Sequence, residues 1–383
     1  MASFDVIVVG VGSMGSAACY YLAKDGVKVL GIEQFSIPHE QGSHAGQSRI
    51  IRKAYFEHPD YVPLLERAYH NWRQLENETG TQLYFPTGLL YAGKPDGVLI
   101  QGVKASARQY NIQVDALSSA ESKIKFPQFH IPADFEILFE PDAGLLTPER
   151  CILSFTEQAT KAGATIHTQE QLIAWKEEQG SITVTTNKNT YTCAKLILTT
   201  GAWTAHVVPE FQKQLKVTRQ VFAWAIPQHG DSFTLGKFPC WLIDDAQQPG
   251  MYYGFPILPA TQLGGPVGLK AAYHYPGQPT DVNHVNRTIS KIEETELMQS
   301  VQHYLPEGFT SVHLSRTCLY TNTPDENFIL DFLPNQHNVI IAAGFSGHGF
   351  KFASVVGEVL SELALKGESK LPIGFLSAKR FNY

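Results

Sequence analysis

Cysteine is scarce in this chain, and the few copies are not paired. Five occur in 383 residues, at Cys19, Cys151, Cys193, Cys240 and Cys318, and no two form a C-x-x-C motif. Paired cysteines mark zinc sites and redox motifs, and many cysteines in a short chain mark a disulfide framework. Their absence indicates a reducing compartment, and we expect a cytoplasmic protein.

Long apolar runs and an excess of one charge are also missing. The sequence has no stretch of membrane-spanning length, and its net charge of −6 gives no reason to expect nucleic acid or an anionic membrane as a partner. The first strand begins by Phe4, so we expect no signal peptide. His39, Glu40 and His44 have the spacing H-E-x-x-x-H rather than the H-E-x-x-H of zinc proteases, so we expect no metal site.

What the chain does have is a nucleotide-binding pattern at its start. Residues 4–33 read as an apolar strand, the loop G-V-G-S-M-G, an amphipathic helix, and a second apolar strand that stops at Glu33. This order is the dinucleotide-binding βαβ unit. Gly10 permits the tight turn, Gly12 the close approach of a pyrophosphate, and Gly15 the close packing of helix on strand. Glu33 is placed to accept hydrogen bonds from ribose hydroxyls, but the unit does not distinguish NAD from FAD.

Two later segments repeat the pattern of a strand followed by glycine. Residues 195–200 form an apolar strand that runs into Gly201-Ala202-Trp203, and residues 339–343 form another that leads into G-F-S-G-H-G-F-K and a helix. The second segment points another helix N-terminus at a ligand. His348 stands where the nucleophile elbow G-x-S-x-G has its second glycine, so a serine hydrolase is not indicated.

These patterns predict an α/β fold with two domains, each made of non-contiguous pieces. A Rossmann-like dinucleotide-binding domain comprises residues 1–85, 146–216 and 314–383. A substrate domain of the α+β type, with a mixed β-sheet, comprises residues 86–145 and 217–313, where short strands and turn residues are frequent. Amphipathic helices are predicted over 61–78, 148–162 and 283–304.

Seven segments together carry a specific resemblance that runs from end to end of the chain. They are FDVIVVGVGSMG, GSHAGQSRIIRKAY, AKLILTTGAWT, YYGFP with GLKAAYH, RTCLYTNTPDENFILD, and GFSGHGFKFA. The chain resembles the monomeric sarcosine oxidase and N-methyltryptophan oxidase family, flavoprotein amine oxidases of the D-amino-acid-oxidase-like fold. The resemblance implies FAD as the cofactor and a monomer that oxidises a secondary (N-methyl or cyclic) amino acid to an imine, with O2 reduced to H2O2.

The resemblance also implies roles for single residues. Cys318 matches the cysteine that carries the flavin through an 8α-S-cysteinyl bond, although a lone buried cysteine is more often a small apolar residue. Lys270 matches the lysine that speeds the reaction with oxygen, although alone it reads as a surface lysine with a buried stem. Arg52 and Lys351 match the pair that holds the substrate carboxylate, a positioning role.

Further matches fall around the flavin and the substrate. Arg49 matches an arginine at the flavin ring, and His274 and Tyr253 match residues on the substrate side; taken alone, His274 is as well explained as a hydrogen-bonded core histidine. The predicted cofactor contacts are Gly10, Gly12, Ser13, Met14, Gly15, Glu33, Gln34, Ser43, His44, Ser48, Arg49, Ile50, Gly201, Trp203, Cys318, Gly344, Ser346, Gly347, His348, Gly349 and Lys351.

The chain departs from the family in the loop after Glu33, which usually reads GSHHGDTRIIRHAYGE. Ala45 replaces a histidine, Gln47 an aspartate and Ser48 a threonine. The histidine lies close to the flavin in the relatives, so its loss keeps a second function open: a dehydrogenase that passes electrons to another acceptor. An oxidase of fructosyl amino acids also stays open. An NAD-dependent dehydrogenase explains the first glycine loop only, and a silent binding protein does not explain why the matched site residues are all retained.

Overall fold

The computed structural model describes residues 1–245, 250–274 and 277–381. The predicted segments 217–313 and 314–383 extend over positions outside these. Within the described residues the strands are β1 (Ala2–Val9), β2 (Val29–Ile32), β3 (Arg49–Ile51), β4 (Tyr84–Phe85), β5 (Leu89–Gly93), β6 (Asp115–Leu117), β7 (Glu136–Glu140), β8 (Gly144–Leu146), β9 (Thr165–His167), β10 (Leu172–Glu178), β11 (Ser181–Thr186), β12 (Thr190–Leu198), β13 (Lys216–Ile226), β14 (Cys240–Ile243), β15 (Met251–Phe255), β16 (Leu269–His274), β17 (Gln278–Pro279), β18 (Ser311–Asn322), β19 (Ile329–Leu333) and β20 (Gln336–Ala343). The α-helices in the same residues are α1 (Ser13–Lys24), α2 (Val62–Thr79), α3 (Val98–Tyr110), α4 (Ser119–Lys125), α5 (Pro148–Lys161), α6 (Thr204–Val207), α7 (Ala260–Leu263), α8 (Lys291–Tyr304) and α9 (Ala353–Lys366).

The first sheet has a parallel centre with the strand order β9-β2-β1-β12-β20. Strands β10, β11 and β19 extend it by antiparallel pairing. The second half of β1, Val6–Val9, is buried on both faces, as the apolar run predicts. One face packs against α1, α5 and α9, and the opposite face forms a separate apolar core. The predicted α/β fold with a Rossmann-like sheet is confirmed.

The second sheet is mixed and has nine strands within the described residues. Its order is β17-β13-β16-β15-β14-β5-β7-β6. Strands β17 and β16 pair with successive parts of one edge of β13, and β18 pairs with the opposite edge. Strands β14 and β5 are parallel, whereas the other neighbours are antiparallel. This confirms the predicted mixed sheet. The predicted domain boundary between 313 and 314 falls inside β18, which pairs with the second sheet from Ser311 to Asn322.

A small third sheet joins β3, β8 and β4. It holds Arg49–Ile51 against Gly144–Leu146. The loop that carries the predicted flavin and carboxylate arginines is therefore tied to the core at this point.

The predicted helices are present, but one begins later than the sequence pattern indicates. The predicted helix over 148–162 is α5, whereas the one expected from 283 begins at Lys291, because Ser290 and Glu293 form a reciprocal capping box. Helix α3 lies where the sequence predicts only short strands. No helix in the described parts of the chain is long and apolar enough to cross a membrane.

Candidate active site

A cavity of about 690 Å³ runs along the carboxyl ends of β1, β2, β12 and β20, the edge at which open α/β sheets bind ligands. Most predicted site residues line it: Gly10, Gly12, Ser13, Met14, Glu33, Gln34, Ser43, His44, Arg49, Ile50, Arg52, Gly201, Trp203, Tyr253, His274, Gly344, Ser346, Gly347, His348, Gly349 and Lys351. The other four, Gly15, Ser48, Lys270 and Cys318, are buried outside its lining. The structure thus brings together segments from five distant parts of the sequence.

The first glycine loop has the geometry that its motif predicts. Gly10 has φ +92°, and a Cβ there would lie 2.5 Å from the Thr199 carbonyl oxygen. A Cβ on Gly15 would lie 1.9 Å from the Gly10 carbonyl oxygen, so only glycine lets α1 pack this close. At Gly12 the nearest atom would be His44 Nδ1, 3.7 Å away, which leaves open space beside the N-terminus of α1. That space suits a phosphate group.

Glu33 lies at the end of β2 and is almost fully buried. Its carboxylate accepts the backbone N–H groups of Val11, at 2.9 Å, and Phe35, at 3.0 Å. Burial raises the pKa of Glu33 to about 7, against these N–H bonds. His39 Nε2 lies 3.6 Å from a Glu33 oxygen, but burial lowers the pKa of His39 to about 3, so it stays uncharged. The carboxylate is therefore fixed at the cavity wall and open to a further donor such as a ribose hydroxyl.

Two buried polar atoms of the cavity wall have no hydrogen-bond partner among the described residues. They are Nε2 of His44 and Oγ1 of Thr321. Buried polar groups in proteins nearly always have a hydrogen-bond partner, from the protein, from water or from a ligand. Together with the space at Gly12 and the Glu33 carboxylate, they fit a polar dinucleotide such as FAD.

Arg49 organises the loop that covers this end of the cavity. Its guanidinium donates to the carbonyl oxygens of Ser48 and Ser43, both at 2.8 Å, and of Ala45, at 2.6 Å. Glu149, in the first turn of α5, accepts the backbone N–H groups of Gly46 and Gln47 at 2.8 and 3.1 Å. Sequence reasoning missed Glu149, because its partners are about a hundred positions away.

Strand register places four predicted residues on one face of the nine-stranded sheet. Side chains alternate along a strand, and directly paired residues share a face. Lys270 and His274 lie four positions apart on β16, and Tyr253 pairs with Ala272 between them. Cys318 on β18 pairs with Gln220 of β13, and Phe222, two residues further along β13, pairs with Ala272. Cys318 therefore lies on the same face. The opposite face is apolar and packs against α8, so this face is the one that meets the cavity.

Lys270 is buried beneath the Arg49 loop. Its Nζ donates to the carbonyl oxygens of Gly46, at 2.5 Å, and Ser48, at 3.0 Å, and lies 4.8 Å from the centre of the Phe255 ring. Burial, aided by the charge of Arg49, lowers the pKa of Lys270 well below its ordinary value. A group whose charge is this sensitive to its surroundings is typical of functional sites.

Cys318 lies in an aromatic pocket of the same sheet face. Its side chain packs in a cluster with Phe222, Trp224 and Tyr320, and it is not part of a disulfide. Burial raises the pKa of the thiol, whereas the charges of Arg49 and Lys270 act in the opposite direction. The surroundings alone are equally those of a small core residue.

The other end of the cavity carries two buried cations. Arg52 Nη2 donates to both oxygens of Glu57, at 2.6 and 2.7 Å, and its guanidinium lies between the rings of Tyr55 and Phe56. Burial acts to raise the pKa of Glu57, but the charge and hydrogen bonds of Arg52, together with the neighbouring charge of Lys351, outweigh it and hold the pKa at about 2. Burial and then the charge of Arg52 lower the pKa of Lys351 to about 7. Glu57 was not predicted; its only local signal is that it follows Arg52 in the same loop.

The two histidines near these cations are uncharged. His348 Nε2 donates to the Glu326 carbonyl at 3.1 Å, so its Nδ1 accepts the Tyr55 hydroxyl at 2.5 Å. His274 Nδ1 lies 3.2 Å from the Tyr320 hydroxyl, which also bonds to Tyr253. Burial lowers the pKa of His348 to about 3 and that of His274 to about 4. At neutral pH the two histidines therefore carry no charge, whereas Arg52 does.

The three side chains of the H-E-x-x-x-H segment do not meet at one point. Glu40 forms an ion pair with Arg316, whereas the His39 and His44 rings pack edge to face with centroids 4.7 Å apart. In the described part of the chain, no group of three His, Cys, Asp or Glu side chains is placed to hold a metal ion.

Comparison with known proteins assigns the family. Residues 5–363 match the family model described as FAD dependent oxidoreductase. The chain is 38% identical to the monomeric sarcosine oxidase of Bacillus sp. (strain B-0618), over 98% of this chain and 96% of that protein. It is 35% identical to the N-methyl-L-tryptophan oxidase of Yersinia pestis (strain Pestoides F), over 99% of both. A solved structure of NikD, an unusual amino acid oxidase, has the same fold, with a TM-score of 0.86, 23% identity, and 98% of each chain covered. The chain therefore belongs to the family of FAD-dependent oxidoreductases.

Proposed function

We propose that this chain is an oxidase of secondary amino acids, with N-methyl amino acids such as sarcosine as the first candidates and cyclic ones as the next. The substrate is converted to an imine, and O2 is reduced to H2O2. The names of the relatives, monomeric sarcosine oxidase and N-methyl-L-tryptophan oxidase, support the substrate class and a monomer. A cytoplasmic location is part of the same proposal.

One observation carries the proposal most directly. Arg52 and Lys351 line the cavity together with His274 and Tyr253, while Lys270 and Cys318 lie on the same sheet face as His274. Two cations at one end fit a carboxylate, and the sheet face beside them fits the reacting amine. An amino acid held by its carboxylate is thereby kept in one orientation, which is a large part of catalysis.

FAD, when bound, accepts the two electrons of amine oxidation. The glycine loop, Glu33 and the Arg49 loop are the groups that would hold it. His274, with a pKa near 4, is too weak a base to store a proton at neutral pH. We assign it instead to accepting a hydrogen bond from the amine N–H, which orients the uncharged amine.

Lys270 and Cys318 complete the proposal on the same sheet face. The Lys270 ammonium stabilises negative charge as oxygen is reduced, an electrostatic role that a preformed buried cation performs without reorganisation. Cys318 is the proposed point of covalent attachment of FAD. A thioether bond prevents loss of the cofactor, while the redox chemistry remains that of the cofactor.

The test is to precipitate the purified protein with acid, and to screen N-methyl amino acids for peroxide release. Flavin that stays in the pellet and adds its mass to the intact chain is the expected result. Peroxide produced from sarcosine or a larger N-methyl amino acid, but not from the primary amino acid, supports the substrate class. Protein that contains no flavin after purification, and takes up none, would refute the function.

A second function has one observation in its favour: Ala45 stands in the loop beside Lys270 where the resembled family has a histidine. It is a dehydrogenase that uses the same site and passes electrons to a carrier or quinone. Substrate-dependent reduction of an artificial dye, with no oxygen consumption, would support it. The buried Lys270 favours the oxidase.

A further inference from the structure

Glu140, the last residue of β7, is a fully buried carboxylate that the proposed chemistry does not use. Its Oε1 accepts the Lys53 backbone N–H at 2.6 Å, and its Oε2 accepts the Ala54 backbone N–H at 3.2 Å. Oε2 also accepts the hydroxyl of Tyr91, at 2.6 Å, from the neighbouring strand β5. All three partners are donors, so the carboxylate is used only as an acceptor.

These bonds join two parts of the fold. Glu140 belongs to the nine-stranded sheet, whereas Lys53 and Ala54 follow β3 of the small sheet, which ends at Ile51. Beyond that point the backbone has no strand partner for its N–H groups. The Glu140 carboxylate supplies the hydrogen-bond acceptor instead, and a buried backbone N–H group needs such an acceptor.

Arg52 lies between the end of β3 and the bonded N–H groups. Its Nη1 donates to the Ala54 carbonyl at 3.3 Å, so Ala54 is held by Glu140 at its N–H and by the guanidinium at its carbonyl, in two consecutive peptide groups. The backbone direction at residues 53 and 54 therefore affects where the Arg52 side chain points. The charge of Arg52 is matched by Glu57, so the contribution of Glu140 is to the position of the guanidinium.

We propose that Glu140 is a positioning residue for the carboxylate end of the cavity, acting through the backbone of Lys53 and Ala54 on the guanidinium of Arg52. The inference rests on the proposed function, because it assumes that Arg52 binds a substrate carboxylate. By this proposal the nine-stranded sheet has two roles. It carries the groups proposed for the amine and oxygen chemistry, and it holds the substrate-binding arginine in place.

The test uses Glu140→Gln in the purified holoenzyme, with acetate as the carboxylate ligand and calorimetry as the readout. The glutamine amide places its NH2 group against one of the three hydrogen-bond donors that the carboxylate now accepts. Because that hydrogen bond is lost, we expect acetate to bind about tenfold more weakly. KM for the amino acid should rise by a similar factor while kcat falls much less. Glu136→Gln is the matched control, since Glu136 lies on the same strand but pairs with Lys104 near the surface.

A double-mutant cycle separates positioning from general damage. In an Arg52→Met background, Glu140→Gln should add less than a twofold further loss, because the group that it positions is gone. Equal losses in both backgrounds, or an unchanged acetate affinity in Glu140→Gln, would overturn the inference. If Glu140→Gln does not fold, Tyr91→Phe, which removes one donor, should weaken acetate binding about twofold, and no change would overturn the inference.

The cycle also distinguishes the two levels of proposal. Acetate affinity that is unaffected by Arg52→Met and by Lys351→Met refutes the carboxylate site itself, and the role of Glu140 with it. A large effect of Arg52→Met with none of Glu140→Gln leaves the proposed function standing and rejects only the positioning role.

Discussion

Arg52 donates from one nitrogen to both carboxylate oxygens of Glu57, at 2.6 and 2.7 Å, inside the cavity wall. The charge of this arginine is thus already matched by a carboxylate that stays ionised down to about pH 2. Lys351 has no such fork, and its Nζ donates to the His348 carbonyl at 2.6 Å. The pH dependence of carboxylate binding should therefore come from the lysine.

Acetate binding is expected to weaken as pH rises above about 7. Burial and the charge of Arg52 lower the pKa of Lys351 to about 7 in the folded protein, so the lysine is charged below that pH and neutral above it. Acetate binds the charged form, and its Kd should rise by up to about tenfold per pH unit above 7 and be flat below. Calorimetric titrations from pH 6 to 9 measure this. Lys351→Met should abolish the dependence, and its persistence there would assign it to another group.

Cys318→Ala should leave the flavin removable by acid. The thiol is the predicted attachment point, so the variant retains FAD only through non-covalent contacts. Acid precipitation should release the yellow colour into the supernatant, and the intact mass should lack the cofactor. Cys240→Ala is the control, because Cys240 is equally buried on β14 of the same sheet. Flavin still in the pellet with Cys318→Ala would show that another residue carries it.

Lys270→Met should slow reoxidation of the reduced enzyme by about a hundredfold or more, because it removes the buried cation that stabilises charge on oxygen. Reduction by substrate should change far less. Stopped-flow absorbance measures the two half-reactions separately. Lys104→Met, which alters a half-exposed lysine, serves as the control. Equal losses in both half-reactions would contradict the oxygen role.

Gly12→Ala and Gly15→Ala should fail in different ways. A methyl group at Gly15 would overlap the Gly10 carbonyl, so Gly15→Ala should lower the free energy of unfolding by about 3 kcal/mol. At Gly12 the nearest atom is 3.7 Å away, so Gly12→Ala should keep its stability but lose FAD uptake. Urea unfolding of flavin-free protein in a Cys318→Ala background measures the first effect, and fluorescence titration with FAD measures the second. Normal FAD affinity in Gly12→Ala would contradict the prediction that the pyrophosphate binds at this loop.

The parts of the molecule that could be predicted are those whose causes are local. The glycine loop, Glu33 and α1 follow one another within 30 residues, and each glycine has a steric reason that the sequence already implies. Helix α3 was missed because it begins at Val98 after the N-cap Gly97, which has no capping side chain and directly follows the turn residues Pro95 and Asp96. Pro95 and Asp96 indicate a turn, so the helical spacing of Leu99 and Val103 that follows was not recognised as the start of a helix.

The acidic residues that hold the site in place could not be predicted. Glu149 and Glu140 accept backbone N–H groups 103 and 87 positions away. A carboxylate that accepts main-chain bonds places no demand on the side chains of its partners, so one sequence contains no pattern for it. The cationic and sulfur-bearing residues were identified only because whole segments resemble a family, and their roles stay predictions.

The alternation of side chains along β16 has a consequence for how the protein can change over generations. Lys270 and His274 share the face of the sheet that is turned toward the cavity because they are an even number of residues apart, whereas Leu269 and Ala271 face the core under α8. Adding one residue between the lysine and the histidine would turn one of them into that core. The register of β16 therefore couples Lys270 and His274, so an insertion or deletion of a single residue between them would separate the two groups even if both side chains were kept.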